Sequence, residues 1–95
     1  MRGEKRRDFR EPEKARVTVK GRDFKGMSFE EQTETIDVSA VGLSFFLNTP
    51  LFNHTFLSVE ISNSSLLAHI SKIQALVVRI DNSSPGKQFV AAQFL

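Results

Sequence analysis

The sequence contains no cysteine, tryptophan or tyrosine, and only three prolines among its 95 residues. Without cysteine the chain can form no disulfide, no thiolate metal site and no cysteine nucleophile. The absence of cysteine is compatible with a reducing compartment but does not show one. No apolar run approaches the ~20 residues that a membrane-spanning helix needs. Residues 1–20 are charged and contain no apolar segment that would act as a secretory signal. We therefore expect a cytoplasmic protein that does not insert into a membrane.

The sequence is also poor in groups that catalyse reactions. Its only histidines, His54 and His69, are isolated in strand-like surroundings. Asp37, Ser39 and a histidine could form a hydrolytic triad by composition, but nothing in their spacing supports one. We expect no enzyme activity, no catalytic residue, no metal site and no cofactor.

Positive charge is concentrated at the start of the chain. The formal net charge is only +2, yet seven of the thirteen Lys and Arg residues lie among residues 1–16, and none lies between Lys25 and Lys72. Any attraction for phosphate therefore belongs mainly to the N-terminal segment. We expect residues 1–13 to form a flexible basic arm; the alternative is a solvated tail without a partner.

Apolar and polar residues alternate through most of the remaining chain, which is typical of half-buried strands. The pattern predicts strands at 15–20, 35–38, 42–47, 57–61, 66–80 and 88–95, and a long turn or irregular hairpin connection across 21–34. Residues 66–80 also fit a helical stripe, but their branched residues and flanking turns favour one strand, bulged near Ser71 and Lys72. Six strands with short turns predict one all-β domain, residues 14–95, folded as a closed antiparallel barrel or small sandwich.

Most of the nine Phe residues are expected in the core of such a domain. Phe46 is out of phase with Leu43, Phe45 and Leu47, which share one face of a predicted strand. We therefore regard Phe46 as the best candidate for an exposed aromatic contact with another protein.

The basic arm contains the first of two motifs that point to ligand binding. Arg6 and Arg10 stand four residues apart, and Arg7 lies between them. The planar fork of arginine can bind phosphate oxygens, or the O6 and N7 acceptors of guanine, in a bidentate manner that lysine cannot match. With seven arginines in the chain, this spacing alone is weak evidence.

The second motif, D-V-S-A-V-G, connects two predicted strands. Asp37 can accept hydrogen bonds from the N1 and N2 hydrogens of guanine, and Ser39 can donate or accept beside it. Gly42 lets the backbone approach a planar ligand closely. An ordinary turn uses the same residue types, so the motif taken alone leaves both interpretations open.

In this order, R-x-x-x-R followed by D-x-S-x-x-G resembles the PilZ domain, a family of bacterial receptors for cyclic di-GMP. The resemblance extends from Arg6 through G-L-S-F and V-V-R-I to the closing strand. It implies a six-stranded antiparallel β-barrel with a flexible basic arm, and cyclic di-GMP as the ligand. The ligand-binding residues that it implies, with Arg7 added for its charge, are Arg6, Arg7, Arg10, Asp37, Ser39 and Gly42.

The same resemblance implies a receptor or effector module. Ordering of the arm around the nucleotide would present a new surface to a protein partner or neighbouring domain. The alternative is a PilZ-like adapter that binds proteins without a ligand. Binding of a nucleic-acid polymer would need cations interleaved with aromatics on a strand face. Here the cations lie in the arm, so we expect no nucleic-acid polymer as a partner.

Overall fold

The computed structural model describes residues 15–62 and 72–95, which form six strands. The strands close into an antiparallel barrel in the order β1-β2-β3-β6-β5-β4, so the predicted fold class is confirmed and no helix occurs in the described ranges. The N-terminal arm lies outside those ranges. The strand bounds are Arg16–Arg22 for β1, Ser28–Val38 for β2, Gly42–Leu47 for β3, Phe56–Ser62 for β4, Lys72–Asp81 for β5 and Gln88–Phe94 for β6.

The interior of the barrel is filled by alternate residues of all six strands. Phe45 is the largest fully buried side chain, and the other core residues are mainly valine, leucine and alanine. Branched and aromatic side chains suit this environment because they pack well on the pleated surface of a strand. Most of the alternation in the sequence therefore reports correctly which side chains face inward.

Residues 21–34 form a hairpin, which was one of the two predicted alternatives, but most of them lie in two regular strands and the turn is confined to 23–27. β1 continues to Arg22 and pairs with β2 from Ser28 onward. The inward positions in this half of β2 include Glu31, which is paired with buried Val19. Its carboxylate accepts hydrogen bonds from the backbone amides of Asn48 and Thr49. A polar residue at an inward position removed the alternation that would have identified the strand.

The described part of β5 also differs from its prediction. Lys72 pairs regularly with Glu60 of β4, and the register shift in β5 falls between Val77 and Arg79 instead of near Lys72. Ser71 and the predicted residues 66–70 lie outside the described ranges.

Phe46, the aromatic residue predicted to be exposed, is less exposed than two other Phe residues. Phe46 is half-buried, contacts Phe89 edge to face, and has the Lys87 ammonium 4.4 Å from its ring centroid. Phe52 and Phe56 are instead 63% and 62% exposed. Phe46 projects outward, as its phase in β3 predicts, but the Phe89 ring and the Lys87 side chain lie against its ring on that outer face.

One end of the barrel gathers the start of β1, the end of β2 and the start of β3; we call it the motif end. Ala15 is fixed there by two hydrogen bonds with Thr35: the Ala15 amide donates to the threonine hydroxyl, and the Thr35 amide donates to the Ala15 carbonyl. The chain therefore enters the barrel two residues from Asp37 along β2.

Candidate functional site

Asp37 is placed on the outer face of the barrel by a β-bulge. Thr35 pairs with Phe45 and Val38 pairs with Leu43, and all four side chains are buried. Between these inward pairs β3 has one residue, whereas β2 has two, Ile36 and Asp37. In a regular strand Asp37 would fall opposite Leu43 and face inward. The extra residue turns its carboxylate outward, which is a recurrent use of bulges near functional sites.

Ser44 orients this carboxylate. The hydroxyl of Ser44, which is buried on the strand opposite Asp37, donates a 2.9 Å hydrogen bond to Asp37 Oδ1. Asp37 itself is half-buried. A carboxylate offers about four lone-pair positions on two oxygens, and the Ser44 hydroxyl, bound to one of these oxygens, orients the group.

Ser39 organises the turn between β2 and β3. Its hydroxyl accepts from the amides of Val41 and Gly42 at 3.2 and 3.3 Å, and its own amide donates to the Gly42 carbonyl at 2.9 Å. The residue is 0% exposed. Hydroxyl bonds to amides two or three residues ahead are typical of serine in turns. Within the described residues the Ser39 hydroxyl therefore stabilises the turn by accepting hydrogen bonds from its backbone amides.

Gly42 lies against β6. A Cβ at this position would collide with the carbonyl oxygen of Ala92 and come within 3.3 Å of the Gln93 Cα. The turn is fastened to the same strand because the Phe94 amide donates to the Val41 carbonyl at 2.8 Å. The missing side chain of Gly42 thus permits a close approach of two strands.

The structure brings three of the six predicted site residues together at the motif end. These residues lie at the end of β2, in the turn and at the start of β3: Asp37, Ser39 and Gly42. Of the three, only Asp37 has a polar side chain on the outer face. Arg6, Arg7 and Arg10 lie outside the described residues. Ser44 was missed. Its phase in β3, opposite to Leu43 and Phe45, indicated an outward hydroxyl, but its contact with Asp37 depends on the bulge.

Neither a metal site nor a membrane-spanning helix is found in the described ranges. No group of three or more His, Asp or Glu side chains there is arranged to hold a metal ion. His54 lies in the connection before β4, with a φ of 67° and its amide bonded to the Val77 carbonyl. Within 15–62 and 72–95 no helix is long and apolar enough to cross a membrane.

The domain is thus a small closed β-barrel whose candidate site is a hydrogen-bonded carboxylate on its outer face. The PilZ domain family model matches residues 4–95. The chain therefore belongs to the PilZ domain family. No curated protein sequence is significantly similar to it.

Several solved structures have a similar fold, among them the following two. Bacillus subtilis inhibitor of motility (MotI/DgrA) is 18% identical with a TM-score of 0.67, and the match covers 97% of this chain and 43% of that one. The K. pneumonia MrkH–c-di-GMP complex is 18% identical with a TM-score of 0.60, and the match covers 97% of this chain and 45% of MrkH. The chain thus spans less than half the length of each.

Proposed function

We propose that this domain is a receptor for cyclic di-GMP that converts binding of the nucleotide into a conformational or protein-interaction signal. The observation that carries the proposal is the bulge in β2, which turns Asp37 outward and leaves its carboxylate oriented by Ser44. A half-buried carboxylate oriented by a hydrogen bond is suited to accept the N1 and N2 hydrogens of one guanine. Membership of the PilZ family and the fold shared with a c-di-GMP complex support the choice of ligand.

The position of Ala15 supports a role for the arm arginines. Arg10 precedes Ala15 by five residues, and an extended chain spans at most ~3.6 Å per residue. Five residues therefore span at most about 18 Å from the anchor beside Thr35, a length that would allow Arg10 to reach the motif end, where Asp37 lies. In the proposal Arg10 and Arg6 bind the phosphates and guanine faces, and Arg7 adds positive charge.

Ser39 and Gly42 have indirect roles in this proposal. The Ser39 hydroxyl holds the turn that follows Asp37, and Gly42 allows that turn to lie close to β6. Together they fix the backbone from which Asp37 is presented. A ligand contact from the Ser39 hydroxyl would have to compete with its bonds inside the turn.

Binding becomes a signal if it orders the arm. Closure of a basic arm over an anionic nucleotide costs conformational entropy, and the closed arm offers a protein partner or neighbouring domain a surface that the open arm lacks. The domain needs no catalytic group for this role, and the cytoplasm is the compartment that we expect. A ligand-free adapter is the second candidate, which the oriented carboxylate of Asp37 disfavours.

Isothermal titration calorimetry with cyclic di-GMP tests the proposal. We expect saturable binding by the unmodified chain and a loss of roughly 30-fold in affinity, about 2 kcal/mol, for Arg10→Ala, because a charged hydrogen bond to the ligand is removed. Arg6→Ala should behave similarly.

Arg22→Ala is the matched control. It removes one guanidinium at the opposite end of the barrel, where Arg22 bonds the Gly26 carbonyl on the exposed hairpin. Its affinity for cyclic di-GMP should stay within about threefold of the unmodified chain, since exposed charge contacts contribute little. Absence of binding by the unmodified chain would refute the receptor function and favour the adapter.

A further inference from the structure

Asp37 belongs to a row of side chains that crosses four strands of the outer face. Asp37 pairs with Ser44, Ser44 pairs with Ala91, and Ala91 pairs with Arg79. On either side of this row lie inward pairs that end at Val77 and Ile80 of β5. The row therefore has a carboxylate at one end and a guanidinium at the other. We call it the Asp37–Arg79 row.

A second bulge places Arg79 in the row. Val77 pairs with Ala92 and Ile80 pairs with Val90, so β5 has two residues, Val78 and Arg79, where β6 has only Ala91. Without the extra residue Arg79 would fall opposite Val90 and face the core. The two charged ends of the row are thus each turned outward by a bulge, in β2 and in β5. A bulge interrupts the ladder of hydrogen bonds. Here two bulges, one in β2 and one in β5, each turn a charged side chain to the same outer face.

The middle of the row has small side chains. On the two central strands the row contains Ser44 and Ala91, and Gly42, two residues before Ser44 on the same face, has no side chain. Ser44 is buried and Ala91 half-buried, so the exposed part of the row lies toward Arg79. The neighbouring outward pair, Phe46 and Phe89, forms an aromatic border with ring centroids 5.9 Å apart. Small residues beside an aromatic border are suited to a planar, partly apolar ligand group such as a nucleobase.

Arg79 is exposed and held against this border. Its Cζ lies 5.7 Å from the Phe89 ring centroid, a cation–π contact that limits the motion of the guanidinium. The charged neighbour on its own strand is Asp81, whose carboxylate accepts from the Ser83 amide at 2.9 Å. That backbone bond is the main cause that lowers the pKa of Asp81, and the charge of Arg79 is a smaller one. Lys87, over Phe46, adds a second cation to the border.

We propose that Arg79 is a further ligand-binding residue: its guanidinium reads the O6 and N7 acceptors of the second guanine of cyclic di-GMP. This inference rests on the proposed function. Neighbouring strands lie about 4.8 Å apart, so three strand spacings put Arg79 roughly 14 Å from Asp37 along the sheet. The Phe89 contact holds the guanidinium at the border, so in this inference each end of the row binds its own base: Asp37 binds one guanine and Arg79 binds the other guanine of the same dinucleotide.

Calorimetry with two probes separates base reading from phosphate binding. 3′,3′-cyclic GMP–AMP has the same phosphates as cyclic di-GMP but one guanine fewer; with its guanine bound at Asp37, the base that faces Arg79 is an adenine, which has no O6. We expect the unmodified chain to prefer cyclic di-GMP by at least about tenfold. In Arg79→Ala, the affinity for cyclic di-GMP should fall by about tenfold or more, whereas the affinity for the mixed dinucleotide should hardly change.

Arg79→Lys and Arg22→Ala complete the set. Lysine keeps the charge but lacks the bidentate fork, so Arg79→Lys should also lose the preference for cyclic di-GMP. Arg22→Ala removes an equal charge far from the row and should retain the preference. Unchanged binding of both probes by Arg79→Ala would overturn the inference, and so would an equal loss for both, which would indicate phosphate binding. Failure of the unmodified chain to bind cyclic di-GMP would instead overturn the proposed function itself.

Discussion

Gly42→Ala should lower the free energy of unfolding by about 3 kcal/mol, even without any ligand. The added methyl group would meet the carbonyl oxygen of Ala92, which is part of the backbone ladder between β3 and β6. It can be accommodated only if the two strands separate. For a domain of this size the loss corresponds to a fall in Tm of at least roughly 12 °C. Chemical and thermal denaturation followed by circular dichroism would measure it.

Gly21→Ala is the matched control for steric crowding. Its Cβ would come within 2.8 Å of Leu57 Cδ2, the end of a side chain that can rotate away, and 3.2 Å from the Phe56 carbonyl oxygen. We expect a loss of about 1 kcal/mol or less. If both variants were equally stable, the close approach of β3 and β6 at Gly42 would not be the reason for a glycine at that position.

The strands that could be predicted from sequence are those whose inward residues are apolar. β3 is the clearest case, because Leu43, Phe45 and Leu47 all face the core and the predicted bounds agree with the structure. The first half of β2 was missed because Glu31 occupies an inward position, where the amides of Asn48 and Thr49 satisfy its carboxylate. These hydrogen bonds to Glu31 come from residues distant in sequence, so no local pattern predicts them.

The site was predictable as a motif but not as a geometry. The residue types of Asp37, Ser39 and Gly42 indicated a turn or a guanine contact, and the structure gives Ser39 and Gly42 clear places in the turn. The outward rotation of Asp37 and of Arg79 depends on bulges, which are defined by pairing with another strand. Counted from Thr35 and Val77, alternation predicts the inner face for both residues, whereas counted from Val38 and Ile80 it predicts the outer face, and only the register decides between them.

Asp37→Asn should reduce the affinity for cyclic di-GMP by about 100-fold, close to 3 kcal/mol, which is the largest effect that we expect at the site. The amide keeps the shape of the carboxylate and an oxygen that can accept from Ser44, but it replaces one acceptor with a donor. The asparagine NH₂ group would then face a guanine N–H, so two donors would meet where the carboxylate accepts a hydrogen bond. Calorimetry with cyclic di-GMP measures the loss.

The same substitution should also change base selectivity. Asparagine presents one donor and one acceptor, a pair that suits adenine, so Asp37→Asn should narrow the preference for cyclic di-GMP over cyclic di-AMP. Glu30→Gln is the control, since it removes an equal charge from an exposed position in β2 near the opposite end of the barrel. It should change neither affinity nor selectivity. If Asp37→Asn and Glu30→Gln gave the same affinities, the carboxylate of Asp37 would contribute only charge, and recognition of guanine by hydrogen bonding at this bulge would have to be abandoned.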